Sequence, residues 1–167
     1  MIKKIVLIAL VMLPVATFAQ ESQKFAYINY MDVANAMPEF KLMNDSLTKS
    51  ANEYQAEITN MRDEYTKKLS DFVNQQDSLN ETIKIRRQQE IQELQQRVEN
   101  FQQFAAQKQD EMQQRLSAPI QDKLQKAVND VGKENNFLYI ANAGAFLYIS
   151  PNATDATPLV KKKLGIQ

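Results

Sequence analysis

Apolar residues recur at helical spacing through most of the chain between Pro38 and Pro119. In the first half of this stretch they lie three or four residues apart, at Phe40, Met43, Leu47, Ala51, Tyr54, Ile58, Met61, Tyr65, Leu69, Phe72, Leu79 and Ile83. The second half repeats the spacing from Ile91 to Val131. One narrow apolar stripe is typical of a coiled-coil seam. No proline or glycine lies between residues 39 and 118, so the stretch is predicted to be helical.

The two halves of the stripe also match each other when the chain is folded back. In each matched pair, such as Ile58 with Phe101, the two residue numbers add up to the same total, as an antiparallel hairpin requires. This total places the turn at Leu79–Asn80. A pairing in which this total is shifted by seven fits nearly as well. Turn-prone residues support the first register, since Ser78 and Glu81 form a capping-box pattern and Asn80 is an alternative N-cap. We therefore predict a helical hairpin arm over residues 39–118, with its turn near 77–82 and a reach of about 60 Å.

Short β-prone segments lie on both sides of the arm. Residues 25–30 form an aromatic-rich strand, after which Asp32 is expected to cap a short helix. Pro38 then opens the arm. On the return side, Pro119 is expected to kink the second helix without ending it, because the apolar spacing continues beyond it.

Two further strands and a final helix follow the arm. The strands are predicted at Phe137–Ala141 and Ala145–Ser150, joined as a β-hairpin through Asn142–Gly144. The last helix covers Leu159–Leu164 and ends at Gly165. The predicted fold is thus α+β and mainly α: a long antiparallel helical arm rooted in a small β body, formed by residues 20–38 and 119–167.

Three short strands are too few to bury a stable core alone, so we expect the body to self-associate. The residues expected to form the oligomer body are apolar or aromatic and lie on the predicted strands: Phe25, Tyr27, Ile28, Phe137, Tyr139, Ile140, Phe146 and Tyr148.

Residues 1–19 have the pattern of a cleaved export signal. Lys3 and Lys4 precede an apolar run that is short of the roughly 20 residues of a membrane span, and Thr17-Phe18-Ala19 is a small-x-small cleavage site. The chain has no cysteine, so a lipid-anchored form is not expected. The protein is therefore predicted to be soluble in an exported compartment.

Composition lowers the prospects for catalysis. The chain contains no cysteine and no histidine, so the usual zinc ligands, thiol nucleophile and commonest general base are missing. We predict that it is not an enzyme and that it has no catalytic, metal-binding or cofactor-binding residues. Without Lys3 and Lys4, 18 basic residues face 20 acidic ones, a balance that argues against nucleic acid as a partner.

The arm carries apolar side chains that lie beside the seam, namely Val73, Ile85 and Phe104. Scattered surface apolar residues are common, but these three are also candidates for touching unfolded chains. Near the turn, basic residues are interleaved with acidic ones. They form either an ordinary solvated surface or a weak basic tip that attracts anionic clients or lipid headgroups, with Lys84, Arg86 and Arg87 as its candidates.

The order of these segments resembles the Skp/OmpH family of periplasmic chaperones for outer-membrane proteins. The stretches that carry the resemblance are Phe25–Val33, Met37–Lys41 and Lys133–Tyr148, and the similarity covers essentially the whole mature chain. It implies a homotrimer whose pooled strands form a small β-barrel and whose arms enclose a cavity. It also implies periplasmic holding of unfolded outer-membrane proteins without ATP. The best-studied members are strongly basic and this chain is not, so capture by overall charge is not expected here.

The alternative is a structural coiled-coil protein, such as an envelope spacer or an adaptor whose arm docks into one partner. An adaptor should concentrate a specific apolar patch at the tip of its arm. The residues near the predicted turn are mixed and mostly polar, which favours the chaperone.

Overall fold

The computed structural model describes residues 24–166. It contains three short strands, four helices and two single 3-10 turns, at Gln76–Ser78 and Ala143–Ala145. In chain order the regular elements are β1 (Lys24–Ile28), α1 (Tyr30–Ala36), α2 (Pro38–Gln75), α3 (Glu81–Glu134), β2 (Phe137–Asn142), β3 (Thr154–Asp155) and α4 (Thr157–Leu164). The predicted α+β fold, with a long helical hairpin and three short strands, is confirmed.

The three strands form one parallel sheet with β1 at its centre, in the order β2-β1-β3. Phe25 of β1 is paired with Tyr139 of β2, and Tyr27 is paired with Asp155 of β3. The Ala156 amide extends the second pairing by donating to the Tyr27 carbonyl at 2.8 Å. The whole arm, α2 and α3, is therefore the crossover connection between the parallel strands β1 and β2.

The predicted β-hairpin over residues 137–150 is wrong in the single chain. Residues 145–150 are outside the sheet, and the third strand is Thr154–Asp155, which pairs with β1 instead of β2. Tight hairpin turns need residues with positive φ, and in the described residues only Asn136 and Gly165 have it. The chain instead leaves β2 through a 3-10 turn, and Phe146 and the residues after it do not pair with β2.

The cap of α1 also differs from the prediction. Asn29, not Asp32, is the N-cap, and its Oδ1 accepts a hydrogen bond from the Asp32 amide at 3.1 Å. An N-cap residue needs extended backbone just before the helix, and Asn29 has it. Asp32 lies in the first turn, where its carboxylate forms an ion pair with Lys161 Nζ of α4 at 2.8 Å. The predicted capping residue thus ties two helices of the body together.

The core of the body lies where α1, the end of α3, the sheet and α4 meet. Its most deeply buried large side chains are Val33, Met37, Leu124, Val131 and Val160. Two of them, Leu124 and Val131, come from α3, which continues past Pro119 as one helix. The helix that forms half of the arm therefore also supplies the centre of the body, so the arm is anchored by packing and not by a loop.

Left-handed residues end two of the body's helical segments. Asn136 has φ 53° just after α3, and Gly165 has φ 73° at the end of α4. Asparagine and glycine are the residues that adopt this conformation at least cost. The predicted export signal, residues 1–19, lies outside the described residues. Between residues 24 and 166, the helices are too polar or too short to span a membrane.

Candidate functional site

The arm is a two-helix antiparallel hairpin whose helices are joined by contacts along its length. Gln109 Nε2 donates to the Leu47 carbonyl at 2.9 Å near the root. Towards the tip, Lys68 Nζ lies 2.6 Å from Glu90 Oε1. Asn80 caps α3, with its Oδ1 accepting from the Ile83 amide at 3.0 Å. These pairs are consistent with a fold-back point in the break between Gln76 and Asn80.

The seam between α2 and α3 is the buried part of the arm. Its buried side chains come from one stripe of each helix, namely Met43, Ile58 and Phe72 of α2 and Ile91, Leu94, Val98 and Ala105 of α3. A third layer of structure does not cover the arm in the described chain, so most of the remaining arm side chains are exposed. The arm therefore presents a long solvent-exposed surface on both of its sides.

An aromatic cluster interrupts that solvent-exposed surface midway along the arm. Tyr54 of α2 makes edge contacts with Phe101 and Phe104 of α3, with ring centroids 6.1 Å and 6.3 Å apart. The Phe101 and Phe104 rings are 6.0 Å apart. Phe104 remains 46% exposed, and Lys108 Nζ lies 5.8 Å from its ring centroid. Phe104 is thus part of a packed aromatic group and not an isolated surface residue.

The apolar candidates Val73 and Ile85 lie near the turn, one on each helix, and both are exposed. They are aliphatic and are separated from the Phe104 cluster along the helices. Neither is enclosed by neighbours, which leaves both free to touch another chain.

A polar groove of about 700 Å³ lies between the two helices near the tip. Arg86 and Arg87 line it together with Lys67 and Lys68, whereas the third basic candidate, Lys84 of α3, is not among the lining residues. Part of this positive charge is already engaged. The hydrogen bond from Lys68, together with its charge, holds the pKa of Glu90 below its usual value. Arg87 Nη1 donates to Gln75 Oε1 at 2.8 Å.

The oligomer-body candidates divide into a buried and an exposed group. Ile28 is only 4% exposed and belongs to the chain's own core, so it has no surface to offer a partner. Tyr27 is half-buried, and Phe137 and Ile140 are partly buried, the latter two packed against the core. The exposed candidates are Phe25, Tyr139, Phe146 and Tyr148.

The exposed candidates are brought together on one face of the body. The Phe25 and Tyr139 rings stack 4.6 Å apart across the β1–β2 pair. With Phe146 and Tyr148 they line an apolar groove of about 200 Å³ beside β1. Leu138 and Leu147 are also exposed, Leu147 completely, and neither was among the sequence candidates. Leu138 alternates with Phe137 and Tyr139 along β2 and so lies on the opposite face of that strand. Leu147 lies in the irregular segment between β2 and β3.

A long antiparallel helical arm rooted in a small β body is the architecture that the resemblance in the sequence implied, although the strands of the body pair differently from the prediction. The chain belongs to the family described as outer membrane protein (OmpH-like), whose model matches residues 24–164. No curated protein gives a significant sequence match.

The fold is also similar to a solved structure. A crystal structure from Caulobacter crescentus CB15, of a protein proposed to be an outer membrane chaperone (OmpH-like), superimposes with a TM-score of 0.74 at 12% sequence identity. The match covers 85% of this chain and 83% of the other. At this identity the match establishes a shared fold.

Proposed function

We propose that this protein is an ATP-independent holdase chaperone that binds unfolded outer-membrane proteins and prevents their aggregation during delivery to the outer membrane. The observation that carries the proposal is the arm of this family member. Its two long helices bury only one stripe each and display exposed apolar side chains at two levels, Val73 and Ile85 near the tip and Phe104 midway along the arm. Such a surface can contact many different unfolded chains weakly without a single shaped pocket.

The body supports the second part of the proposal, a homotrimer. Its exposed apolar face includes Phe25, Tyr139, Phe146, Leu147 and Tyr148, and large exposed apolar patches in soluble proteins mark interaction surfaces. Closed rotational symmetry would let three copies cover this face. Three arms would then extend from one pooled body and surround a shared space, with residues 20–38 and 119–167 as the body and 39–118 as the arm.

The proposed compartment is the periplasm. The export signal in residues 1–19 directs the chain there and is then removed by cleavage. The holding activity needs no catalytic residues, metal or cofactor. Lys84, Arg86 and Arg87 at the tip add a weak attraction for acidic client segments or anionic lipid headgroups, limited by the carboxylates Asp71 and Glu90 that line the same groove.

Light scattering tests the holding activity. A denatured outer-membrane β-barrel protein is diluted into buffer with and without the mature chain, residues 20–167. We expect scattering to fall as the chaperone concentration approaches that of the client, with no added ATP. Unchanged scattering at a several-fold excess would rule out the holdase. A soluble protein that is already folded, at the same concentration, is the control for crowding.

Mass measurement in solution tests the trimer. Light scattering coupled to size exclusion should give three times the mass of the mature chain at micromolar concentration. A monomer under these conditions would contradict the pooled body, while leaving the holding activity to be judged by the aggregation experiment.

A further inference from the structure

The aromatic cluster midway along the arm has a property that the apolar residues near the tip lack. Tyr54 packs its edge against Phe104 at an interplanar angle of 89°, and Phe101 supports the same ring from within α3. The Phe104 ring is therefore held in place although almost half of it is exposed. A fixed aromatic ring can attract a cation through its quadrupole as well as contact apolar groups.

The chain itself shows that this ring accepts a cation. Lys108 Nζ lies 5.8 Å from the Phe104 ring centroid and 2.7 Å from Glu111 Oε2. The ammonium group is thus placed between an aromatic ring and a carboxylate. The hydrogen bond from Lys108 is the largest cause of the lowered pKa of Glu111. The exposed Lys108 therefore occupies a position, between the Phe104 ring and Glu111, that suits the side chain of any lysine or arginine.

The charge around the cluster favours a positively charged occupant. The contacts between Tyr54 and Phe104 and between Leu47 and Gln109 place residues 45–60 of α2 beside residues 99–114 of α3. This middle part of the arm carries six carboxylates and two lysines, Asp45, Glu53, Glu57, Glu99, Asp110 and Glu111 against Lys49 and Lys108. The distal part, residues 61–98, has seven acidic and seven basic residues. The negative surplus is thus confined to the part of the arm that holds the aromatic cluster.

We propose that the Tyr54–Phe101–Phe104 cluster binds extended client segments in which a lysine or arginine lies beside an aromatic or aliphatic residue. The client's cation takes the place of Lys108 at the Phe104 ring and is attracted by the surrounding carboxylates. Its apolar neighbour packs on the exposed part of the cluster. This inference rests on the proposed holding of unfolded chains and assigns a sequence preference to one part of the arm.

The preference is measured with two labelled, unstructured peptides of identical apolar composition, one carrying lysines and the other glutamates at the same positions. Fluorescence anisotropy with the full mature protein should show tighter binding of the lysine peptide. Phe104→Ala should weaken that binding about two- to fivefold, the range expected for an exposed cation–π contact, and leave the glutamate peptide less affected. Val73→Ala, which removes an exposed apolar side chain near the tip, is the matched control and should leave the preference unchanged.

Phe104→Leu separates the ring from its apolar volume. It keeps most of the hydrophobic contact and removes the quadrupole, so it should reduce the lysine-peptide preference while circular dichroism shows an unchanged helical arm. This variant decides the question if Phe104→Ala perturbs the hairpin. Equal binding of the two peptides by the unaltered protein, or an unchanged preference in Phe104→Leu, would overturn the proposal.

The Lys108→Met variant should change the affinity for the lysine peptide in the opposite direction from the Phe104 variants. It removes the internal competitor for the ring and frees Glu111, so the lysine peptide should bind about two- to fivefold more tightly. A purely structural role for Lys108 would give weaker binding or no change, and either result would contradict the proposal.

The aggregation experiment on the same samples distinguishes this proposal from the general function. If the protein suppresses client aggregation but does not discriminate between the peptides, the cluster assignment is wrong and the holdase stands. If it discriminates between the peptides but leaves aggregation unchanged, the holdase is wrong and the cluster remains a peptide-binding surface.

Discussion

The body and the arm bury their apolar side chains to different depths, although one helix, α3, contributes to both. In the body, Leu124 is 1% exposed and is surrounded by side chains from α1, the sheet and α4. In the arm, Ile91 is covered by α2 alone and keeps more of its surface in water. The number of packing layers, and not helix length, sets how much of the hydrophobic surface is removed from solvent.

The same comparison explains which region can adapt to a partner. Regions with few buried contacts and many exposed backbone hydrogen bonds open at low free-energy cost. The arm is such a region, and its tip, next to the break at Gln76–Asn80, has the fewest neighbours. The body is packed inside yet apolar outside, so it is suited to permanent association, whereas the arm is suited to weak and variable contacts.

The largest expected effect comes from removing a core side chain of the body. Leu124→Ala should lower the free energy of unfolding by about 2–5 kcal/mol, because the cavity lies where several elements meet. Leu94→Ala, the same change in the seam of the arm, should cost less than half as much, since the two helices can close together locally. Urea denaturation followed by circular dichroism at one protein concentration measures both, and equal losses would show that the arm and the body unfold as one unit.

The next effect concerns the outer face of the body. Leu147→Lys combined with Tyr148→Lys places charge on exposed apolar positions, so we expect the solution mass to fall towards that of one chain. Helical content should be retained, because neither side chain belongs to the chain's own core. Val73→Lys at the tip of the arm is the control and should leave the mass unchanged. An unaltered mass in the double variant would place the oligomer contact elsewhere.

A smaller and more local effect is expected at the turn of the arm. Asn80→Ala removes the side-chain acceptor of the Ile83 amide, and the loss of such an N-cap costs about 1 kcal/mol. Hydrogen exchange should become faster in the first turn of α3 and remain unchanged around Leu124. Asn60→Ala is the control, because Asn60 is a solvent-exposed residue in the middle of α2. This variant should leave hydrogen exchange at the turn unchanged. Faster exchange throughout the body would contradict the independence of the two regions.

The smallest effect is a pH-dependent one at the root of the arm. A hydrogen bond from Lys123 of α3 is the largest cause of the lowered pKa of Glu39 in the first turn of α2. Because the folded-state pKa is depressed, the pair stabilises the protein above the ordinary glutamate pKa of about 4.3 and loses this contribution as pH falls through the folded value. Exposed ion pairs contribute at most about 1 kcal/mol.

Glu39→Gln isolates that contribution. The difference in stability between this variant and the unaltered protein should be present at neutral pH and disappear in acid. Lys108→Gln, which breaks an ion pair within α3 alone, serves as the comparison for a pair that does not join the two helices. A difference that persists unchanged in acid would exclude the ion pair as its cause.

Much of the architecture follows from local pattern. The apolar spacing from Phe40 to Val131, the absence of glycine, and the turn-prone residues before Glu81 are sufficient for two long helices and their antiparallel pairing, since a seam of period 3.6 can be buried in few ways. Gly165 likewise ends α4 where a left-handed residue was expected. The arm candidates could be named because positions beside a regular seam are exposed by geometry.

Other features depend on contacts between distant residues, and only the tertiary structure decided them. Thr154–Asp155 is a strand because β1 offers it an edge, whereas residues 145–150 have the higher β-propensity but no turn that returns them to β2. Ile28 is a core residue although its aromatic strand neighbour Phe25 is exposed. The Phe104 cluster exists because Tyr54 comes from the opposite helix. Periodicity determines local structure through the backbone, whereas the choice of neighbour across the fold depends on which surfaces three-dimensional packing leaves available.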